Sequence, residues 1–272
     1  MNKQRLLHGL LPALLLNLSI GSVYAFTSLS GALLEAMSYN KAEIQFAFSL
    51  AIFFLGTSAA FFGNLVERNT KKSSLISCLA FTAGLIISGI GVKLNSLLLL
   101  YLGYGGIMGI GLGTGYLTPV KSLMQWYPNN KGLSTGLAVT FFGLAATIAA
   151  PVIKALLSAT TAANAMLWLA LIYFIPTFLS FLLIKKPEGV KIKEKTARHR
   201  AAFRYKKFTY MGIIKEAHFI PIWLIFFISI HCGLAIIPLA SDIFANYAVS
   251  AAVITMLISL TGLFNGAGRL VF

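Results

Sequence analysis

Eight stretches of this chain are apolar over the length of a bilayer crossing, and that constraint precedes any motif. A helix rising 1.5 Å per residue needs about 20 apolar residues to cross a hydrocarbon core about 30 Å thick. The sequence predicts helices near Leu6–Leu34, Ala42–Val66, Leu75–Val92, Leu97–Gln125, Leu133–Leu157 and Ala165–Ile184, then near Phe219–Ala240 and from Ser250 onward. In hydrocarbon the backbone must satisfy its own polar groups, so only helices and closed barrels span it. These runs lack the in-and-out alternation of barrel strands. The fold class is therefore an all-α integral membrane protein. Composition agrees, with 11% charged residues against about 25% in soluble domains. Pro119, Pro151, Pro176 and Pro238 fall inside the predicted spans and read as kinks rather than breaks.

The net charge of +15 matters less than where it lies. Lys3 and Arg5 precede the first span, Arg68, Lys71 and Lys72 follow the second, Lys131 follows the fourth, and a basic cluster from Lys185 to Lys215 follows the sixth. The intervening loops hold little beyond Lys41, Lys93, Glu35, Glu43 and Asp242. The positive-inside rule then puts the N-terminus in the cytoplasm, and the expected location is the cytoplasmic (inner) membrane. In the basic loop, Phe203, Tyr205, Phe208 and Tyr210 interleave with cations, a pattern that can stack on bases. A cytoplasmic linker held near anionic lipid headgroups explains the same residues with membrane lipids as the partner, and no nucleic acid is expected. The loop divides the chain into 1–184, a six-helix bundle, 185–218, a basic linker, and 219–272, two further helices.

MNKQRLLHGLLPALLLNLSIGSVYA has the basic start, apolar core and small-residue ending of a cleavable signal. The apolar run continues through FTSLSGALL, which suits a retained first span. Cys78 and Cys232 both fall within predicted spans and read as small buried residues, not as a disulfide framework or metal site. HExxH, GxSxG and GxxxxGK[ST] are absent, and His8, His199, His218 and His231 lack ligand spacing, so neither an enzyme, a cofactor nor a bound metal is expected. GYGGIMGIGLGTGY fails the dinucleotide spacing; Gly105, Gly109 and Gly113 recur every four residues, as do Gly111 and Gly115. That repeat predicts two bare faces for close helix packing.

The turn GNLVERNTKK after the second span resembles the major facilitator superfamily signature G-x-x-x-[DE]-R-x-G-R-[KR]. Gly63, Glu67, Arg68, Lys71 and Lys72 are in register, while Thr70 and Lys71 depart from the usual glycine and arginine. SVYAFTSL, GTGYLTPVKSLMQWYPNNKGLSTGLAVTFFG and LFNGAGR are similar to segments of one branch, the oxalate/formate antiporter family of carboxylate exchangers. The resemblance implies a major facilitator-type bundle of twelve helices in two halves, rocking about a central site. It makes GNLVERNTKK a conformational gate, with Glu67 in contacts between the halves. Against that pattern this chain holds the first six-helix bundle plus the start of the second, and it reads as truncated within its eighth helix.

Arg269, in SLTGLFNGAGRLVF, is a cation among apolar residues and needs an anion, water or the surface. Placed about 28 Å along the last helix, it is also able to snorkel to the cytoplasmic face. The resemblance implies instead that it faces the cavity and binds carboxylate. By the same resemblance Tyr24 and Tyr116 line the cavity and Gln45 adds a polar group, while Leu29 stands where some relatives carry a second tyrosine. The bland alternatives are interface anchoring for the tyrosines and a helix start for Gln45. His231, about 18 Å into the seventh span, is a possible proton relay or a histidine bonded to a helix carbonyl. Lys121, five residues before Trp126, reads as a snorkelling interface residue. The implied function is secondary active transport of small organic anions, mono- or dicarboxylates such as oxalate, formate, pyruvate or lactate, by a monomer. The alternative is a truncated, non-transporting membrane protein or remnant.

Overall fold

The computed structural model describes residues 3–187, 214–247 and 250–271. Among them are eight helices long and apolar enough to cross a membrane, and no strand. We label them α1 (Lys3–Ala25, carried on through Thr27–Ala36), α2 (Lys41–Arg68), α3 (Thr70–Lys93), α4 (Leu97–Trp126), α5 (Lys131–Ala159), α6 (Ala162–Leu183), α7 (Phe219–Ile236) and α8 (Ala251–Val271). Each predicted span is present, and most run a few residues further than hydropathy suggested, because polar caps close the ends. Asn40 and Glu43 form a reciprocal capping box at the start of α2. Asn69 closes α2 and caps α3, its side chain accepting from the Lys72 amide at 3.0 Å.

Three of the four prolines lie inside helices. Pro238 does not: α7 ends at Ile236, a single 3₁₀ turn covers Ile237–Leu239, and a short helix follows at Ala240–Ala245. The expected kink is a break, since proline removes a donor and clashes with the preceding turn. The chain divides into two units, Met1–Lys186 with Pro238–Phe272, and Pro187–Ile237. The linker aromatics Phe203, Tyr205, Phe208 and Tyr210 lie outside the described residues. In the second unit α7 has no buried residue, and Cys232 on it is exposed, which corrects the expectation that both cysteines are buried. Cys78 is buried and accepts a hydrogen bond from Thr177 at 3.3 Å.

The first unit is held by close backbone approach and by hydroxyls that bond across helices. With hydrocarbon outside, water offers no strong drive to pair apolar faces, so small residues and interhelical hydrogen bonds take that role. One face of α4 meets α2: a Cβ added at Gly105 would lie 2.6 Å from that of Leu50, and one at Gly109 would lie 2.7 Å from that of Phe54. The other face meets α3: a Cβ at Gly111 would lie 2.6 Å from the Phe81 nitrogen. Both bare faces read from the sequence are therefore packing surfaces. Hydroxyls reinforce them, with Ser77 donating to the Gly111 carbonyl at 2.7 Å and Ser73 meeting Thr118 at 2.6 Å. Further round the bundle, Asn17 donates to the Ala138 carbonyl at 2.6 Å and Ser180 to the Pro12 carbonyl at 2.8 Å, tying α1 to α5 and α6.

These contacts make a contrast between glycines. Gly113→Ala drives a methyl into Ser58 and the Leu55 carbonyl of α2 and should destabilise the fold by about 1–3 kcal/mol. Gly56→Ala, which meets nothing within 4 Å, should be neutral or slightly stabilising. Thermal unfolding of the purified variants in detergent checks the pair.

Candidate functional site

Two helices converge on a phenylalanine of a third. Phe142 of α5 is 1% exposed. Tyr24 of α1 meets it edge-on, with centroids 5.1 Å apart at 87°. Tyr116 of α4 does the same at 5.2 Å and 86°. Edge-to-face pairs place the positive rim of one ring on the negative face of another and contribute about 0.5–1.5 kcal/mol each. Local backbone positions Tyr24: α1 tightens to a 3₁₀ turn over Gly21–Ala25. Gly21, lacking a side chain, lets α1 pack against the Phe142 carbonyl and the Ala145 methyl.

Onto this aromatic floor α8 delivers Arg269. The Arg269 Cζ lies 6.0 Å from the Tyr24 ring centroid, at the outer limit of a cation–π contact. Its Nε donates to Asn265 Oδ1 at 3.1 Å. The register of α8 on α5 sets its level. Thr147 donates to the Ser259 carbonyl at 2.9 Å, an added Cβ at Gly143 would lie 2.8 Å from the Gly266 Cα, and one at Gly136 would lie 3.6 Å from the Arg269 carbonyl oxygen. The backbone of Arg269 thus sits beside Gly136, five residues or about 8 Å from the start of α5, whereas Phe142 lies about 9 Å deeper. The guanidinium reaches back toward the deeper level. The side chain runs toward Tyr24.

At the charged end of the bundle, Glu67 and Lys121 form an ion pair at 2.7 Å, joining α2 to α4. Lys121 is paired with a carboxylate where a snorkelling interface side chain was expected, and this contact of Glu67 lies within the first six helices. Around it Lys186 donates to the Arg68 carbonyl at 3.0 Å, and the Lys71 ammonium lies 5.3 Å from the Phe181 ring centroid. Lys72 is exposed, and a side chain at Gly63 would meet nothing within 4 Å.

Residues 12–272 match the family described as Major Facilitator Superfamily. The chain belongs to that superfamily. It is 24% identical over 260 residues, covering 95% of this chain and 60% of the relative, to the oxalate:formate antiporter of Oxalobacter formigenes. It is 27% identical over 136 residues, covering 50% of this chain and 33% of the relative, to the uncharacterized MFS-type transporter YhjX of Escherichia coli strain K12. The chain therefore spans from a third to three fifths of the length of these curated relatives.

In this superfamily chain the structure brings together Arg269, Tyr24 and Tyr116. Gln45 lies half-buried one turn into α2, at a level on the order of 10 Å from that of Tyr24 by helical rise. Leu29 lies on the same helix as Tyr24. It lines a cavity of about 20 Å³ with Phe26, Tyr104 and Tyr173, which is room for about one water. His231 stays on exposed α7, its ring stacked on Phe227 one turn away with centroids 5.4 Å apart. Two members of the cluster escape a sequence reading. Phe142 is one apolar residue among many in α5, while Asn265 carried a usable signal, standing four residues before Arg269 on the same helical face.

Because the Glu67–Lys121 pair is partly exposed, its contribution is small. A double-mutant cycle of Glu67→Gln and Lys121→Met on thermal stability should give a coupling of about 0.2–1 kcal/mol. Raising salt to 1 M should remove most of it.

Proposed function

We propose that this chain serves secondary active transport of small organic anions, mono- or dicarboxylates such as oxalate, formate, pyruvate or lactate, by alternating access. The observation that carries the reading is the Arg269 guanidinium lying 6.0 Å from the ring of Tyr24, which with Tyr116 packs on Phe142. A cation at that depth is costly unless an anion, a dipole or water accompanies it. A carboxylate matches the planar fork of donors. Similarity to the oxalate:formate antiporter of Oxalobacter formigenes supports the same substrate class, and superfamily membership points to a transporter in preference to an enzyme.

The rest of the assignment follows as part of the proposal. Residues 1–184 form a six-helix half, 185–218 a cytoplasmic linker near lipid headgroups, and 219–272 the opening of a second half. The chain is a monomer in the inner membrane, its N-terminus and the Glu67–Lys121 end face the cytoplasm, and the turn carrying Gly63, Glu67, Arg68, Lys71 and Lys72 acts as a conformational gate. Gln45 contributes as an outlying polar group on the route to the site, and His231 is retained as a candidate proton relay. The alternative is a non-transporting membrane protein.

The test uses the full chain in liposomes preloaded with oxalate or formate, with radiolabelled uptake and equilibrium binding measured at matched protein amounts. Arg269→Ala should lower binding by about 30-fold or more, the effect of removing one partner of a buried charge pair. Arg269→Lys should weaken it by about tenfold, since an ammonium keeps the charge and loses the fork. Full binding by the lysine variant would reduce the requirement to positive charge alone, and full binding by the alanine variant would refute the site. A folded wild type that binds and exchanges no carboxylate would favour the non-transporting alternative.

A further inference from the structure

We propose that Asn265 is a positioning residue that turns Arg269 inward and fixes which edge of its guanidinium meets the anion. The inference rests on the reading of Arg269 as the anion-binding group and adds to it how that group is held.

The backbone of Arg269 lies beside Gly136, about 8 Å from the start of the neighbouring α5. An arginine at this level is able to extend to the membrane surface, where its charge is hydrated. In the structure its Cζ instead lies 6.0 Å from the Tyr24 ring centroid. Helical geometry sets the initial direction, because Cβ atoms tilt toward the helix N-terminus, which here is the inward direction. Asn265, one turn inward, completes it by accepting from Nε at 3.1 Å. A charged donor in a medium of low dielectric makes this bond stronger than a neutral pair in water.

The choice of atom has a chemical consequence. Arginine has five N–H donors and presents two edges suited to a carboxylate: the side edge, Nε with one Nη, and the end edge, Nη1 with Nη2. With Nε–H given to Asn265, the end edge remains for a bidentate anion. The amide is suited to this role because it accepts a hydrogen bond and carries no charge. Aspartate at the same position would hold the arginine equally well and cancel the charge that attracts the substrate.

The experiment measures binding and exchange of radiolabelled oxalate and formate by the full chain in liposomes, in wild type, Asn265→Ala, Asn265→Asp, Arg269→Lys, Arg269→Ala and the Asn265→Ala/Arg269→Lys pair. Asn265→Ala should raise KM by about tenfold and leave kcat within about twofold, the pattern of a lost binding geometry. Asn265→Asp, similar in shape and able to form an ion pair one turn away, should stay folded and bind more weakly than the alanine variant at pH 7. Lysine has a methylene where arginine has Nε, so in the Arg269→Lys background Asn265→Ala should change binding less than twofold. If Arg269→Ala abolishes binding while Asn265→Ala and Asn265→Asp both match wild type, the positioning role is wrong and the site stands. If Arg269→Ala itself binds normally, the underlying site reading fails.

Discussion

The close contact of Gly143 with Gly266 governs the region where function is proposed. Two residues without side chains let the backbones of α5 and α8 come together, and the hydrogen bond from Thr147 to the Ser259 carbonyl locks the register one turn away. A methyl at either glycine would push the helices apart and lift Arg269 off the aromatic floor. The same logic runs through the first six helices, where α4 meets α2 and α3 on glycine faces and Gly21 brings α1 against α5. Hydrocarbon makes this strategy necessary: with lipid as apolar as any leucine, backbone proximity and hydrogen bonds between helices hold the bundle.

Where polar groups lie follows from the same solvent. Hydroxyls and amides that hydrocarbon would leave unpaired bond to carbonyls of the next helix, as Asn17, Ser77 and Ser180 do. Arg269 cannot be neutralised in this way because its charge outlasts any single hydrogen bond. Asn265 occupies one of its five donors and leaves the charge unbalanced. That residual charge separates Arg269 from residues such as Asn17, Ser77 and Ser180, whose hydrogen bonds tie one helix to the next.

The helices were legible in the sequence because hydropathy over about 20 residues is a solvent requirement and does not depend on which helices are neighbours. The glycine faces of α4 were legible for a similar reason, since a repeat of four marks one side of a helix whatever lies against it. Neighbour-dependent features were not. Lys121 read as a lipid-facing residue because nothing in its own segment reveals that Glu67, 54 positions earlier, lies across the α2–α4 contact. Phe142 was invisible because its role is to touch two tyrosines from two other helices. Pro238 was misjudged because proline inside a hydrophobic run is compatible with a kink or a break, and hydropathy does not distinguish them. Tyr24, Tyr116 and Arg269 were singled out by family resemblance, and the structure shows that they share one neighbourhood.

That neighbourhood explains why the arginine needs so many supports. A flexible side chain near a membrane surface gains hydration by leaving the interior, so holding it inward requires restraints that act together. The tilt of the Cβ bond gives direction, Asn265 fixes Nε, and Tyr24 offers a π face to the cation. The cation–π contact, at the edge of its useful range, is the weakest of these. The hydrogen bond is the restraint with directional strength. Under the proposed function, a charge restrained in this way has much to gain from an anion with two coplanar oxygens, which would meet the free end of the guanidinium without disturbing Asn265. Restraint and recognition would then use different edges of one side chain, so that on this proposal the arginine stays positioned whether or not an anion is bound.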